Sequence, residues 1–281
     1  MNSTFKILTI AFLITGLNLN AQELQGTAYY KTKRKVEIKL DSTSATSIQQ
    51  EQLNAILKRQ FEKEYVLNFN KTASTYKEVE SLGDASSSAG GGVRIVAFGA
   101  GGSGNDVLYK DTRAKTYTNQ RESFSKQFLI KDSLQKVEWK LENETKQIGN
   151  YTCYKATFER EVERRQLNFN DAEEEEKTVK ETIVTTAWYT PQIPVSHGPE
   201  RHWGLPGLIL EINDGNSVMI CNKIVMNPKE KIEIIEPKKG KKVTQEEFNE
   251  VMRKKAEEMS KIYGGGRKKG NGQSIQIKIG G

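Results

Sequence analysis

The chain has 281 residues, 36% of them hydrophobic and 28% charged, with a mean hydropathy of −0.66. That polarity excludes a multi-span helical membrane protein, and the aromatic and β-branched content excludes wholesale disorder. Two histidines and two cysteines are too few for a zinc-finger array or a disulfide-dense scaffold, and the net charge of +7 raises a nucleic-acid reading that depends on where the charge sits.

Residues 1–21 read as a secretory signal. Lys6 supplies a basic start, 7–17 an apolar core, and Asn18-Leu19-Asn20-Ala21 a short polar stretch in which Ala21 is the last residue removed. The core is shorter than the roughly 20 apolar residues that span a bilayer. No cysteine follows it to carry a lipid, so the expected product is exported, soluble and not lipidated. The alternative use of the same run is a buried N-terminal helix.

After the signal, 29–40 alternates loosely as a strand, and Ile48, Leu53, Ile56, Leu57 and Phe61 recur at helical spacing, which predicts an amphipathic helix over 46–62. Strand-like runs follow at 65–70, 75–80, 93–98, 116–121, 128–131 and 136–141. Longer ones at 151–163 and 178–189 are joined by an acidic loop holding Glu173 to Glu176. The run Gly99-Ala-Gly101-Gly-Ser-Gly104 spells GxGxxG, but 105–115 has no helical apolar period to present amides to a pyrophosphate. It reads as a flexible excursion, and no cofactor is implied.

Leu208 to Asn213, Asp214-Gly215 and Asn216 to Met226 form the clearest hairpin signal, because Asp-Gly suits a two-residue type I′ turn. That turn would set Leu210 opposite Met219 and Leu208 opposite Cys221. Both faces are apolar at the base, which predicts a central strand pair. Thr244 and Glu247 form a capping box, and Phe248, Val251, Met252, Ala256 and Met259 give the helix behind it an apolar stripe. The domain reading is one β-rich unit over 22–263 and a Gly/Lys-rich mobile tail over 264–281, where Ile275, Ile277 and Ile279 offer one more strand. The fold class is α+β: a predominantly antiparallel, curved β-sheet with one helix near each end.

Residues 188–206 hold four of the six prolines, both histidines and two of the three tryptophans. Prolines at 191, 194, 199 and 206 fix φ and stiffen this connection, and Pro206-Gly207 suits a type II turn with Gly207 at positive φ. A stiff aromatic loop is costly to expose, so it packs over a sheet face or guards a cavity. Trp188, Trp203, Leu205, Pro206, Gly207, Leu208 and Leu210 are the candidate ligand-binding residues, with ordinary core packing as the alternative. His197, Glu200 and His202 are the candidate metal ligands, although five-residue His spacing fits neither a helix face nor a strand. The neighbours Ser196 and His197 point apart in an extended segment and make no nucleophile pair. Cys153 and Cys221 are either two buried thiols or a bridge, which would stabilise by roughly 4 kcal/mol.

Gly204-Leu205-Pro206-Gly207-Leu208-Ile209 is the hexapeptide that names the GLPGLI family of exported Bacteroidetes proteins, and the chain resembles that family in its flanks too. Tyr151-Thr-Cys153-Tyr-Lys155-Ala156 resembles its Y-x-C-x-K-A element, and Trp188-Tyr189-Thr190 leads into Ile193-Pro194-Val195-Ser196-x-Gly198-Pro199 as it does there. The resemblance is strongest over 150–228. It implies the periplasm or envelope of a Gram-negative bacterium, and it brings no established activity. The strand-rich layout is analogous to half-barrel lipoprotein carriers.

Two functional readings follow. The first is a non-catalytic envelope protein binding an apolar or amphipathic ligand, or a partner protein, through a curved sheet covered by 188–210. The second is a metal-binding protein or metal-dependent hydrolase using His197, Glu200 and His202. The charge resolves by position: 1–222 carries 28 basic and 28 acidic residues, whereas 223–281 carries 15 against 8. A basic C-terminal fifth on an exported protein points away from nucleic acid and toward anionic lipid or sugar phosphate.

Overall fold

In this computed structural model the structure describes residues 24–34, 36–39, 62–79, 106–170, 173–230, 232–264 and 276–279. The signal at 1–21, the strand at 93–98, the glycine run at 99–104 and all but the last residue of the helix at 46–62 lie outside them.

The elements in chain order are β1 (Gln25–Arg34), β2 (Val36–Lys39), β3 (Glu62–Asn70), β4 (Ala73–Glu78), β5 (Val107–Asp111), β6 (Thr116–Ser123), β7 (Lys126–Ser133), β8 (Lys140–Ile148), β9 (Tyr151–Asn170), β10 (Glu173–Thr190), β11 (Leu208–Asn213), β12 (Ser217–Met226), β13 (Lys241–Val243), α1 (Gln245–Gly264) and β14 (Gln276–Ile279). Twelve strands make one open, curved sheet in the order β13-β7-β6-β5-β4-β3-β1-β12-β11-β10-β9-β8. Every pairing in it is antiparallel except β13 against β7. β14 pairs with β2 in a separate two-stranded sheet, with Ile277 in register with Ile38 and Ile279 with Val36. The antiparallel α+β reading therefore holds, with α1 the single helix among the described residues.

Cross-strand register explains the core. Ala28, Leu67, Tyr76, Leu108, Asn119 and Ile130 are successive partners across β1, β3, β4, β5, β6 and β7. All but Asn119 are buried, because side chains opposite one another in an antiparallel ladder share a face. The next row is Gly26, Phe69, Ser74, Lys110, Tyr117 and Asp132. It places a lysine at an inward position. α1 closes the far end of this face: its Phe248 meets Phe128 edge-on at 5.2 Å, and Val251 and Met252 pack on the same cluster. The helix starts where the capping box demands, with Thr244 N donating to Glu247 Oε2 at 2.8 Å and Glu247 N donating to Thr244 Oγ1 at 3.1 Å.

Several local expectations change. The acidic run Glu173 to Glu176 is the first part of β10, paired with β9 from Asn170 to Leu167, rather than a loop. Strand β5 carries charges at Lys110 and Asp111 that hide its alternation, and the stretch 134–139 is irregular before β8 begins at Lys140. The β11–β12 hairpin is the central pair expected, but its register slips by two residues, so Ile212 rather than Leu210 faces Met219. The reason is the turn. Only Gly215 has positive φ there, and the Asp214 carboxylate accepts from the amides of Asn216 and Ser217, which holds a wider loop than type I′. An even slip leaves each residue on its intended face.

Candidate functional site

Residues 191–207 connect two neighbouring strands, since Tyr189 on β10 pairs with Ile209 on β11. The excursion folds back over the sheet and is held there by a group the sequence reading passed over. Lys110 on β5 is fully buried, and its ammonium donates to the carbonyls of Gly198 at 2.6 Å, Glu200 at 2.6 Å and His202 at 3.2 Å. Three acceptors match the three N–H bonds of the lysine head group. Burial pulls the Lys110 pKa down to about 7, with the Glu200 carboxylate acting in the opposite sense.

The same centre neutralises the histidines. His197 is fully buried beside Phe69, with neither ring nitrogen hydrogen-bonded, and burial followed by the Lys110 charge takes its pKa down to about 3. His202 is half-buried with Nδ1 3.2 Å from the Pro199 carbonyl, and the same two causes bring it down to about 4. Among the described residues no group of three or more His, Cys, Asp or Glu is arranged to hold a metal. The expected set of His197, Glu200 and His202 is thus not brought together. Its loop wraps a lysine ammonium through backbone carbonyls instead, and a cation already occupies the centre.

The candidate ligand-binding residues are mostly packing. Trp203 Nε1 donates to the Gln135 carbonyl at 3.0 Å, and the Trp203 carbonyl accepts from Trp139 Nε1 at 2.9 Å. Trp203, Leu208 and Leu210 join the main core, whereas Leu205 belongs to a second cluster with Ala156, Ala187, Tyr189, Ile209, Ile212 and Met219. Trp188 is half-buried beneath the Lys146 ammonium, 4.4 Å from its ring centre, and Pro206 is exposed. Gly207 does not take the positive φ of a type II turn. Gly204 has it instead, at 96°, while Gly207 is fixed as glycine because a Cβ there would meet the Thr190 carbonyl. Cys153 and Cys221 are free thiols buried in the main core, and no bridge joins them in this structure.

Two concavities flank this packed centre. The first, about 490 Å³, lies between the β8–β9 turn and strands β11 and β12. Ile148, Tyr151, Leu210, Ile220, Cys221 and Ile224 line it, with Lys146, Glu211 and Lys223 beside them. Lys146 and Glu211 are ion-paired at 2.7 Å. The second, about 360 Å³, opens where the strands β1 and β3–β7 meet Glu200, Arg201 and the first residue of α1. Of the residues singled out from sequence, Leu210 and Cys221 reach the first concavity and Glu200 the second.

Residues 139–211, from the end of the irregular stretch through most of β11, match a Bacteroidetes-associated family described as a protein of unknown function (Porph_ging). No curated protein matches the chain. Among solved structures it is similar to PNGF-II in space groups C2 and P21, at 12% identity in both and TM-scores of 0.46 and 0.47. These matches cover 82% of this chain and 33% and 34% of the PNGF-II chains, so the chain spans about a third of those proteins. Among the described residues no helix is long and apolar enough to cross a membrane.

Proposed function

We propose that this chain is an exported, non-catalytic envelope protein of the GLPGLI type that binds an apolar or amphipathic ligand. The observation that carries the reading is the 490 Å³ concavity, whose size suits a small ligand and whose apolar side chains Ile148, Tyr151, Leu210, Ile220 and Ile224 are interspersed with the polar Gln147, Asn150 and Asn222. Ile220 lines it while remaining 39% exposed, an apolar side chain at a mouth rather than in a core. The Lys146–Glu211 pair and Lys223 beside it suit a ligand with a polar end. Of the stretch 188–210 only Leu210, on β11, lines this concavity, and the tryptophans and other leucines of that stretch are spent on core packing. GLPGLI membership rests on Gly204 to Ile209 and its flanks, which fall within the matched segment 139–211. Export rests on the signal-like residues 1–21.

Native mass spectrometry of protein purified from its own envelope tests the reading, followed by titration of the delipidated protein with a fluorescent long-chain fatty acid. A co-purifying lipid and saturable fluorescence enhancement are expected. Ile220→Lys, which places an ammonium opposite Glu211 in the ladder without disturbing the core, should weaken that binding at least tenfold. No saturable binding, or equal binding by the variant, overturns the proposal. Sequencing the mature N-terminus tests export separately, with Gln22 the expected first residue.

A further inference from the structure

We propose that the second concavity is a binding site for a small oxyanion, a carboxylate or a phosphate ester, held by Tyr76 and Arg121. The site is independent of the apolar concavity, and its lining is polar and charged. Five cationic residues border it (Arg34, Lys63, Lys77, Arg121 and Arg201) against three carboxylates, Glu78, Asp106 and Glu200. Two of the carboxylates are matched within the sheet, Glu78 to Lys63 at 2.8 Å and Asp106 to Arg121 at 3.3 Å. The balance at the pocket is therefore positive, which favours an anionic guest.

Two buried donors give the guest its contacts. Tyr76 and Arg121 both line this pocket, and neither the Tyr76 hydroxyl nor Arg121 Nε has a hydrogen-bond partner. Tyr76 is only 5% exposed, and its ring is fixed by stacking on Tyr65 with centroids 4.9 Å apart. Arg121 Nε lies near Asp106 Oδ2 without the alignment of a hydrogen bond. A buried hydroxyl without a partner is costly, and an oxyanion supplies the acceptor that Tyr76 lacks and a hydrogen-bond acceptor for Arg121 Nε, which is charge-paired with Asp106 but not hydrogen-bonded. The Tyr76 phenol is held well above its usual pKa by burial, so it stays a donor at neutral pH.

The rim is positioned by the loop. Glu200 is held at φ 48°, in the left-handed region, with its carbonyl on Lys110 Nζ. Arg201 follows it directly, packing its guanidinium over the Tyr117 ring at 5.8 Å and reaching Gln245 at the start of α1. Lys110 thus sets where Arg201 enters the pocket edge.

The test uses the full chain, inorganic phosphate and propionate as separate probes, and sodium chloride at matched ionic strength as control. Calorimetric titration and thermal melts should show saturable binding of at least one probe above the chloride control. Phosphate alone identifies the phosphate-ester class, propionate alone the carboxylate class, and both together a general oxyanion site. Tyr76→Phe should cut the affinity at least tenfold while the melting temperature without probe stays level or rises, because the variant removes an unmatched hydroxyl and nothing else. Arg121→Gln should cut it similarly. Binding of neither probe, or equal affinity in Tyr76→Phe, overturns the proposal. Ile220→Lys should bind the probes as the natural chain does, which separates this site from the apolar concavity.

Discussion

Lys110 Nζ on β5 lies 2.6 Å from the carbonyl oxygen of Gly198, a residue 88 positions further along the chain. Through this bond and its two companions, one buried ammonium organises a loop that no regular ladder reaches. Prolines restrict the loop's backbone and Lys110 selects one arrangement from what remains. The ion takes the place of a pairing strand, satisfying carbonyls that would otherwise be buried without donors.

Lys110→Met keeps the length and apolar stem of the side chain and removes its three donors. Three carbonyls lose their partner, so urea unfolding should show a loss of about 3 kcal/mol. Native-state hydrogen exchange should accelerate at the amides of His202 and Gly204, whose bonds to Pro199 and Ser196 depend on the loop's shape. Exchange unchanged at those two amides would mean the loop holds itself.

The two histidines make stability depend on acid. Their pKa values are lowered in the folded chain, to about 3 for His197 and about 4 for His202, from an ordinary value near 6.5. Below pH 6.5 the unfolded chain therefore binds protons that the folded chain refuses. The stability that these two histidines control is fully present above pH 6.5 and is lost as pH falls toward 4, with a slope approaching about 1.4 kcal/mol per pH unit from fully buried His197. Half-buried His202 contributes less because solvent screens it. His197→Leu should flatten the difference in unfolding free energy between pH 7 and pH 5 more than His202→Leu does.

The thiols should be silent in the folded state. Burial pushes Cys153 up to about 11 and Cys221 up to about 12, so neither presents a thiolate at pH 8. An aromatic disulfide reagent is expected to react with neither in native buffer and with both in denaturant. An intact mass lighter by two hydrogens, with no reaction even in denaturant, would show instead that export has bridged them.

What was legible in the sequence is what local pattern controls. The capping box at Thr244 and Glu247, the strand run at 116–121 and the apolar base of the β11–β12 hairpin each carry their signal within a few residues. The loop at 191–207 was legible as stiff and aromatic, yet its partner was not. Lys110 lies in a strand disguised by its own charges, and nothing near it in sequence announces that three distant carbonyls will surround it. Tyr76 and Arg121 escaped for the same reason. Their importance lies in hydrogen bonds left unmade, which only the packed structure reveals. An inward lysine between the buried Leu108 and Tyr117 was the one available clue, readable once β5 was accepted as a strand.

The glycines of the hexapeptide separate two reasons for being glycine. Gly204 sits at φ 96° with open space around its Cβ position, the nearest atoms being on the Trp139 ring at 3.9 Å. Alanine there meets only backbone strain, so Gly204→Ala should cost about 1–2 kcal/mol. Gly207 has an ordinary φ but faces the Thr190 carbonyl and the Pro191 nitrogen, main-chain atoms that cannot swing aside. Gly207→Ala must push apart the first residues of the loop and the end of β10, and should cost about 3 kcal/mol. Thermal melts of the two variants rank the effects. The reverse order would mean that Thr190 and Pro191 yield more easily than the Gly204 backbone, and that the hexapeptide is held by its turn rather than by its contact with β10.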